Sequence, residues 1–197
     1  RLLAALSVPP KLRVISAPSG FGKTTLLKSW VDRIPADDRA VVWVALSGEV
    51  ATRQEFWQRV GNSAVRGNTL DPVAFRTLLG RANRLGDPVP TIVRALERGG
   101  PLTLVIDAYE WLRGITDEID DDLRRLAAAA PQLDIVVTTR AATALSDEVP
   151  VLRGEVQVID ETDLRFTATE VEELLAIHAP QAVGAATRIL AATRGYP

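Results

Sequence analysis

The chain has no cysteine and no methionine, and only one histidine, His178. Without cysteine there is no disulfide and no thiolate metal site. A lone histidine rules out a metal centre built on several imidazoles. No apolar run approaches the roughly 20 residues needed to cross a bilayer, and no segment has the order of a secretory signal. A cytoplasmic location with no membrane partner is therefore expected. A basic excess is also missing: 23 Lys and Arg against 25 Asp and Glu give a net charge of −2 and a pI near 5.5. That balance argues against this segment itself gripping DNA. Lysine is scarce, with three (Lys11, Lys23 and Lys28) among the 23 basic residues. The arginine excess reads as coding bias, so an isolated arginine carries little weight. The missing Met and the abrupt ends at Arg1 and Pro197 make a fragment of a longer chain the expectation. The 197 residues, 47% of them hydrophobic, can hold one domain of roughly 150 residues and part of another.

Within that frame, apolar runs alternate with helical patterns. Strands are expected at 12–16, 41–46, 102–107, 133–138 and 155–159. They are continuous Val/Ile/Leu runs, as strands covered on both faces should be. Thr52-Arg53-Gln54-Glu55 reads as a capping box opening a helix with Phe56, Trp57, Val60 and Val65. Thr116 opens another helix, with Asp117 and Glu118 at its positive end. The run Asp120-Asp121-Asp122 reads as a solvated helix face, since successive helical residues point about 100° apart and do not converge on a metal. Two short helices are expected between 66 and 100, broken by Gly86-Asp87-Pro88 and by Pro90. Thr167-Ala168-Thr169-Glu170 is a second capping box, leading into Val171, Leu174, Leu175 and Ile177 on one helical face. A further helix carries Val183, Ala186, Ile189 and Leu190, and His178 ends the helix before it. The alternation implies an α/β, doubly wound, right-handed parallel sheet.

The chemistry concentrates at residues 17–25, Ala17-Pro18-Ser19-Gly20-Phe21-Gly22-Lys23-Thr24-Thr25, between the first strand and a helix over 24–31. Glycines let the backbone turn its N–H groups inward, and the helix N-terminus adds partial positive charge, which together make a phosphate nest. Lys23 is placed to reach the β- and γ-phosphates and the Thr24 hydroxyl to hold Mg²⁺. Ala17 stands where the strict pattern has its first glycine, a change tolerated if its φ stays negative.

Downstream, 102–107 is an apolar strand ending in Asp107, the Walker B arrangement whose carboxylate serves the Mg²⁺ shell. The next position, where fast ATPases place an acid, is Ala108. Glu110 either bends back toward the γ-phosphate or is a surface residue. The third element is the strand ending Thr138-Thr139-Arg140. Arg140 either senses the terminal phosphate or is an exposed loop arginine.

The stretches 17–27, 41–46 and Glu55-Phe56-Trp57 resemble the STAND-class ATPase module of MalT-like, LuxR-type transcriptional regulators. So do 105–109, 137–140, Asp163-Leu164-Arg165-Phe166-Thr167 and Thr193-Arg194-Gly195-Tyr196-Pro197. Arg1-Leu2-Leu3 is similar to that family's opening helix. The resemblance implies an AAA-like P-loop NTPase with a five-stranded parallel sheet in the order 2-3-4-1-5. It implies a nucleotide-binding domain over 1–161 and the first helices of a lid over 162–197. Pro18 to Thr25 and Pro197, the latter against the adenine, would bind ATP or ADP. Lys23, Asp107, Arg140 and Glu110 are the catalytic candidates, and Thr24 and Asp107 the Mg²⁺ ligands. Self-association in the ATP state, an unidentified small-molecule or protein signal, and DNA binding through domains beyond Pro197 are implied as well. Ala108 departs from the family pattern and leaves at most a slow ATPase. A turnover ATPase or phosphotransferase and a non-hydrolysing, nucleotide-locked scaffold stay open. GTP is disfavoured, because no Asn-Lys-x-Asp motif is present.

Overall fold

The computed structural model describes residues 1–6, 10–35, 37–66, 86–182 and 184–196. Five strands, β1 Leu12–Ser16, β2 Ala40–Ala45, β3 Leu102–Asp107, β4 Leu133–Thr139 and β5 Val156–Ile159, form one parallel sheet in the order β2-β3-β4-β1-β5. This is the expected order, with boundaries off by at most one residue. The register sets Ser16 beside Thr139 and Ala45 beside Asp107. The carboxyl ends of β1, β3 and β4 therefore open onto one edge, where α/β sheets bind ligands.

Side chains alternate between two cores, because successive strand residues point to opposite faces. One face gathers Val14, Ile106, Ile135 and Val137. It packs on Phe56, Trp57 and Val60 of α3 (Arg53–Arg66) and on Ile119, Leu123 and Leu126 of α5 (Thr116–Ala129). The other gathers Ile15, Val105, Val136 and Ile159 under Leu27 and Trp30 of α2 (Lys23–Val31) and Leu6, just after α1 (Leu2–Ala5). The α5 positions recur at intervals of four and three, the stripe an amphipathic helix needs. The side chain of Val65 lies outside the described residues.

Side-chain caps open three of the described helices. Glu55 N–H donates to Thr52 Oγ1 (3.1 Å), while the Glu55 carboxylate accepts from Ala51 N–H (3.3 Å), one residue earlier than the usual box. The Thr167/Glu170 box closes on both arms at the start of α8 (Ala168–His178). The box that escaped the sequence reading is Asp160 with Asp163, which opens α7 (Glu161–Leu164). Before α7 in the chain, α6 is Glu148–Leu152, and after α8 comes α9, Ala186–Thr193.

Two expectations are corrected. Pro90 does not break a helix: it sits in the first turn of α4 (Val89–Gly99), where its missing N–H has no intrahelical partner to lose. The other short helix expected between 66 and 100, and Val183, lie outside the described residues. The Asp run is not a solvated face. Asp120 and Asp122 are fully buried and only Asp121 is exposed, because α5 is covered on two sides. On the apolar face of α8, Val171 is buried and Leu175 half-buried, while Ile177 is 73% exposed. Among the described residues no helix is long and apolar enough to cross a membrane.

Candidate functional site

The loop between β1 and α2 owes its path to two glycines in the left-handed region, Gly20 (φ 89°) and Gly22 (φ 72°), the latter capping α2. A side chain at Gly22 would enter open space, so the reason for glycine there is the backbone conformation. Ala17 keeps a negative φ, is buried, and donates its N–H to Thr139 O (3.2 Å). Its replacement of glycine is therefore accommodated. Phe21 turns its ring into the α2-side core and offers only backbone to the loop.

Lys23 Nζ curls over the loop and donates to Ala17 O (2.6 Å) and Pro18 O (2.8 Å). Burial lowers its pKa most. Glu110 and Asp107 pull it back up, and Arg140 lowers it further. Thr24 Oγ1 donates to both Asp107 oxygens (3.1 and 3.3 Å), so the two candidate Mg²⁺ ligands are already in contact. Thr138 Oγ1 also donates to Asp107 and accepts from Ala108 N–H (3.0 Å), which fixes the end of β3 against β4.

Ala108 is more than a missing acid. It takes the left-handed conformation (φ 65°, ψ 50°), rare for a residue with a Cβ. That reversal starts a 3₁₀ turn, Tyr109–Trp111, and folds Glu110 back over the loop. Glu110 is therefore not a surface residue. Its side chain is 15% exposed, ion-paired with Arg140, and its Oε2 is buried with no hydrogen-bond partner among the described residues. Arg140 is not a loose loop arginine either: besides Glu110 it donates to Ser19 Oγ (3.0 Å), bridging the phosphate loop to the β3 turn. Lys23, Thr24, Asp107, Glu110 and Arg140 line one cleft of about 430 Å³, and Ser19, Gly20, Gly22 and Thr25 complete its floor.

One contact goes beyond the sequence reading, which puts Pro197 but not Tyr196 at the nucleotide. Tyr196 Oη donates to Ser19 O (3.2 Å), and the ring meets Phe21 edge-on at 4.8 Å. A Cβ on Gly20 would sit 2.2 Å from that hydroxyl, so glycine is needed there for space as well as for φ. The segment is tied down by Phe166 N–H donating to Gly195 O (3.0 Å) and Arg165 Nη1 to Arg194 O (3.2 Å). Pro197 itself lies outside the described residues.

The residues present suit a magnesium nucleotide. A glycine-shaped loop, a lysine, and a threonine hydroxyl touching a strand-end aspartate are the donor set that chemistry uses.

No family model matches the chain, and no curated protein matches it. Among solved structures, Cdc6p from Pyrobaculum aerophilum is similar over 85% of this chain, with 17% identity and a TM-score of 0.50. The Aeropyrum pernix ORC1 protein in complex with DNA matches over 91% of this chain at 16% identity and a TM-score of 0.49. Drosophila ORC bound to AT-rich DNA and Cdc6 matches over 93% at 12% identity and a TM-score of 0.48. The chain spans 42%, 47% and 63% of those chains, less than two thirds of each. The likeness at the level of Cdc6p concerns fold alone. With the sheet order and the loop after β1, it makes this a P-loop NTPase fold.

Proposed function

We propose that the chain is an ATP-binding regulatory switch module of a LuxR/MalT-like transcription regulator. The observation that carries the reading is the convergence of Lys23, Thr24, Asp107 and Arg140 on one cleft beneath the glycine loop. Loop N–H groups and Lys23 hold the phosphates, and Thr24 with Asp107 holds Mg²⁺, which when bound neutralises phosphate charge. Lys23 exchanges two neutral carbonyls for an anion, a stronger, charge-assisted partner. Arg140, bridging Ser19 and Glu110, is set to distinguish ATP from ADP by its differential affinity for the last phosphate. Tyr196, bonded to Ser19 of the loop, carries that difference into the lid (162–197). Self-association in the ATP state, the signal, and DNA binding through domains beyond Pro197 belong to the same reading and rest on the motif resemblance. ATP and ADP titrations of wild type and Lys23→Ala test it. The variant is expected to lose at least about tenfold in ATP affinity, the scale of a charged hydrogen bond. Equal affinity in both proteins overturns the assignment.

A second reading, slow turnover, is favoured by Glu110. Folded back toward Lys23, it supplies the carboxylate that Ala108 lacks and can orient a water. Phosphate release that is the same in wild type and Glu110→Gln rejects it.

A further inference from the structure

The turn that carries Glu110 leaves β3, yet it rests on one side chain of α5. Asp120 is fully buried. Tyr109, itself buried next to Glu110, donates its phenol to Asp120 Oδ1 at 2.7 Å. Asp120 Oδ2 is buried with no hydrogen-bond partner among the described residues. Burial opposes the charge of this carboxylate, against the hydrogen bond from Tyr109, and leaves the Asp120 pKa raised. Burial and the Asp120 carboxylate likewise push the Tyr109 phenol well above its ordinary value.

The β3 turn needs such an anchor. Ala108 is in a left-handed conformation that costs on the order of 1 kcal/mol for a residue with a Cβ, and such strain persists only where the surroundings over-determine it. Thr138 Oγ1 holds one side of Ala108, and the Tyr109–Asp120 bond holds the other. Between these two restraints Glu110 has one place to go, over the cleft.

We infer that Asp120 is a positioning residue for the Glu110 wall of the cleft, setting Glu110 through Tyr109. Its functional consequence rests on the nucleotide reading of the cleft, but the pinning itself does not. The two are separated by measuring hydrogen–deuterium exchange of the chain without nucleotide, and then ATP–Mg²⁺ and ADP–Mg²⁺ affinities, for wild type, Asp120→Asn and Tyr109→Phe.

In Asp120→Asn, which keeps the side-chain volume, the amides of Trp111 and Leu112 are expected to exchange about tenfold faster, the scale of one hydrogen bond to a charged group. The Leu26 amide in α2 should stay unchanged. Tyr109→Phe should loosen the same 108–112 segment. If Asp120→Asn does not fold, the Tyr109→Phe pattern decides. Unchanged exchange at 108–112 in either variant overturns the inference. In the binding arm, ATP affinity should move about tenfold in Asp120→Asn while ADP stays within about twofold, because the phosphate loop that holds ADP does not touch Asp120. An equal change for both nucleotides reduces Asp120 to a general stability role and also overturns it. A wild type that binds neither nucleotide removes the cleft reading, and the exchange pattern alone then judges Asp120.

Discussion

Two aspartates, Asp107 and Asp122, illustrate how the same side chain becomes either structure or site. Asp122 is fully enclosed. Arg53 grips it through Nε (2.7 Å) and Nη2, and Trp57 Nε1 donates at 2.9 Å, which locks α3 to α5. Its charge is met by a fixed guanidinium, and the bond in turn raises the Arg53 pKa. Among the described residues Asp107 has two hydroxyl donors, Thr24 and Thr138, and it faces a cleft. The nearest ammonium, Lys23, gives its hydrogen bonds to loop carbonyls instead. A carboxylate paired by protein is finished, whereas one met by hydroxyls beside a cavity keeps room for a cation.

Removing the closed carboxylate should have the largest effect on stability. Asp122→Ala takes the two-pronged partner from Arg53, which keeps Asp87 at 3.6 Å, and leaves Trp57 Nε1 without its acceptor, so it is expected to cost on the order of 3 kcal/mol, toward the low end for a broken buried pair. Denaturant unfolding measures it, and a loss below about 1 kcal/mol breaks the contrast. Next, Ala108→Val forces a β-branched side chain into a left-handed turn, at about 2 kcal/mol, and should weaken ATP binding as Glu110 shifts.

Opening the comparison from the other side, Asp107→Asn should change stability by less than about 1 kcal/mol yet abolish the Mg²⁺ dependence of ATP binding in calorimetry. The smallest effect belongs to Asp87, which binds Arg125 (2.6 Å) at the rim of the Asp122 cluster. The Arg125 hydrogen bond holds its pKa below the ordinary carboxylate value. Its contribution is therefore full above that ordinary value and lost as pH falls through the depressed one. Melting temperature between pH 6 and pH 3 should fall slightly more steeply in wild type than in Asp87→Asn, and salt should shrink the gap.

Much of the site could be read in advance because its signals are local. Gly22-Lys23-Thr24 after an apolar run, and Asp107 at the end of another, are contiguous patterns. Strands buried on both faces leave unbroken Val/Ile/Leu runs. The misses share one cause. Three successive aspartates look alike until α5 is covered by α3 on one side and by the 109 and 144 turns on the other. Pro90 is a helix opener or a breaker depending on where the helix begins.

From its residues alone, this chain determined the parallel α/β sheet, the phosphate-type loop and the strand-end aspartate, because backbone conformation and strand burial follow from nearest neighbours and simple periodicity. The tertiary structure alone decided that Glu110 faces the cleft, that Arg140 bridges Ser19 and Glu110, that Tyr196 rests on Gly20, and which aspartates are buried. Those outcomes depend on the sign of one φ angle at Ala108 and on contacts between residues up to 177 positions apart. Neither is written in any local pattern.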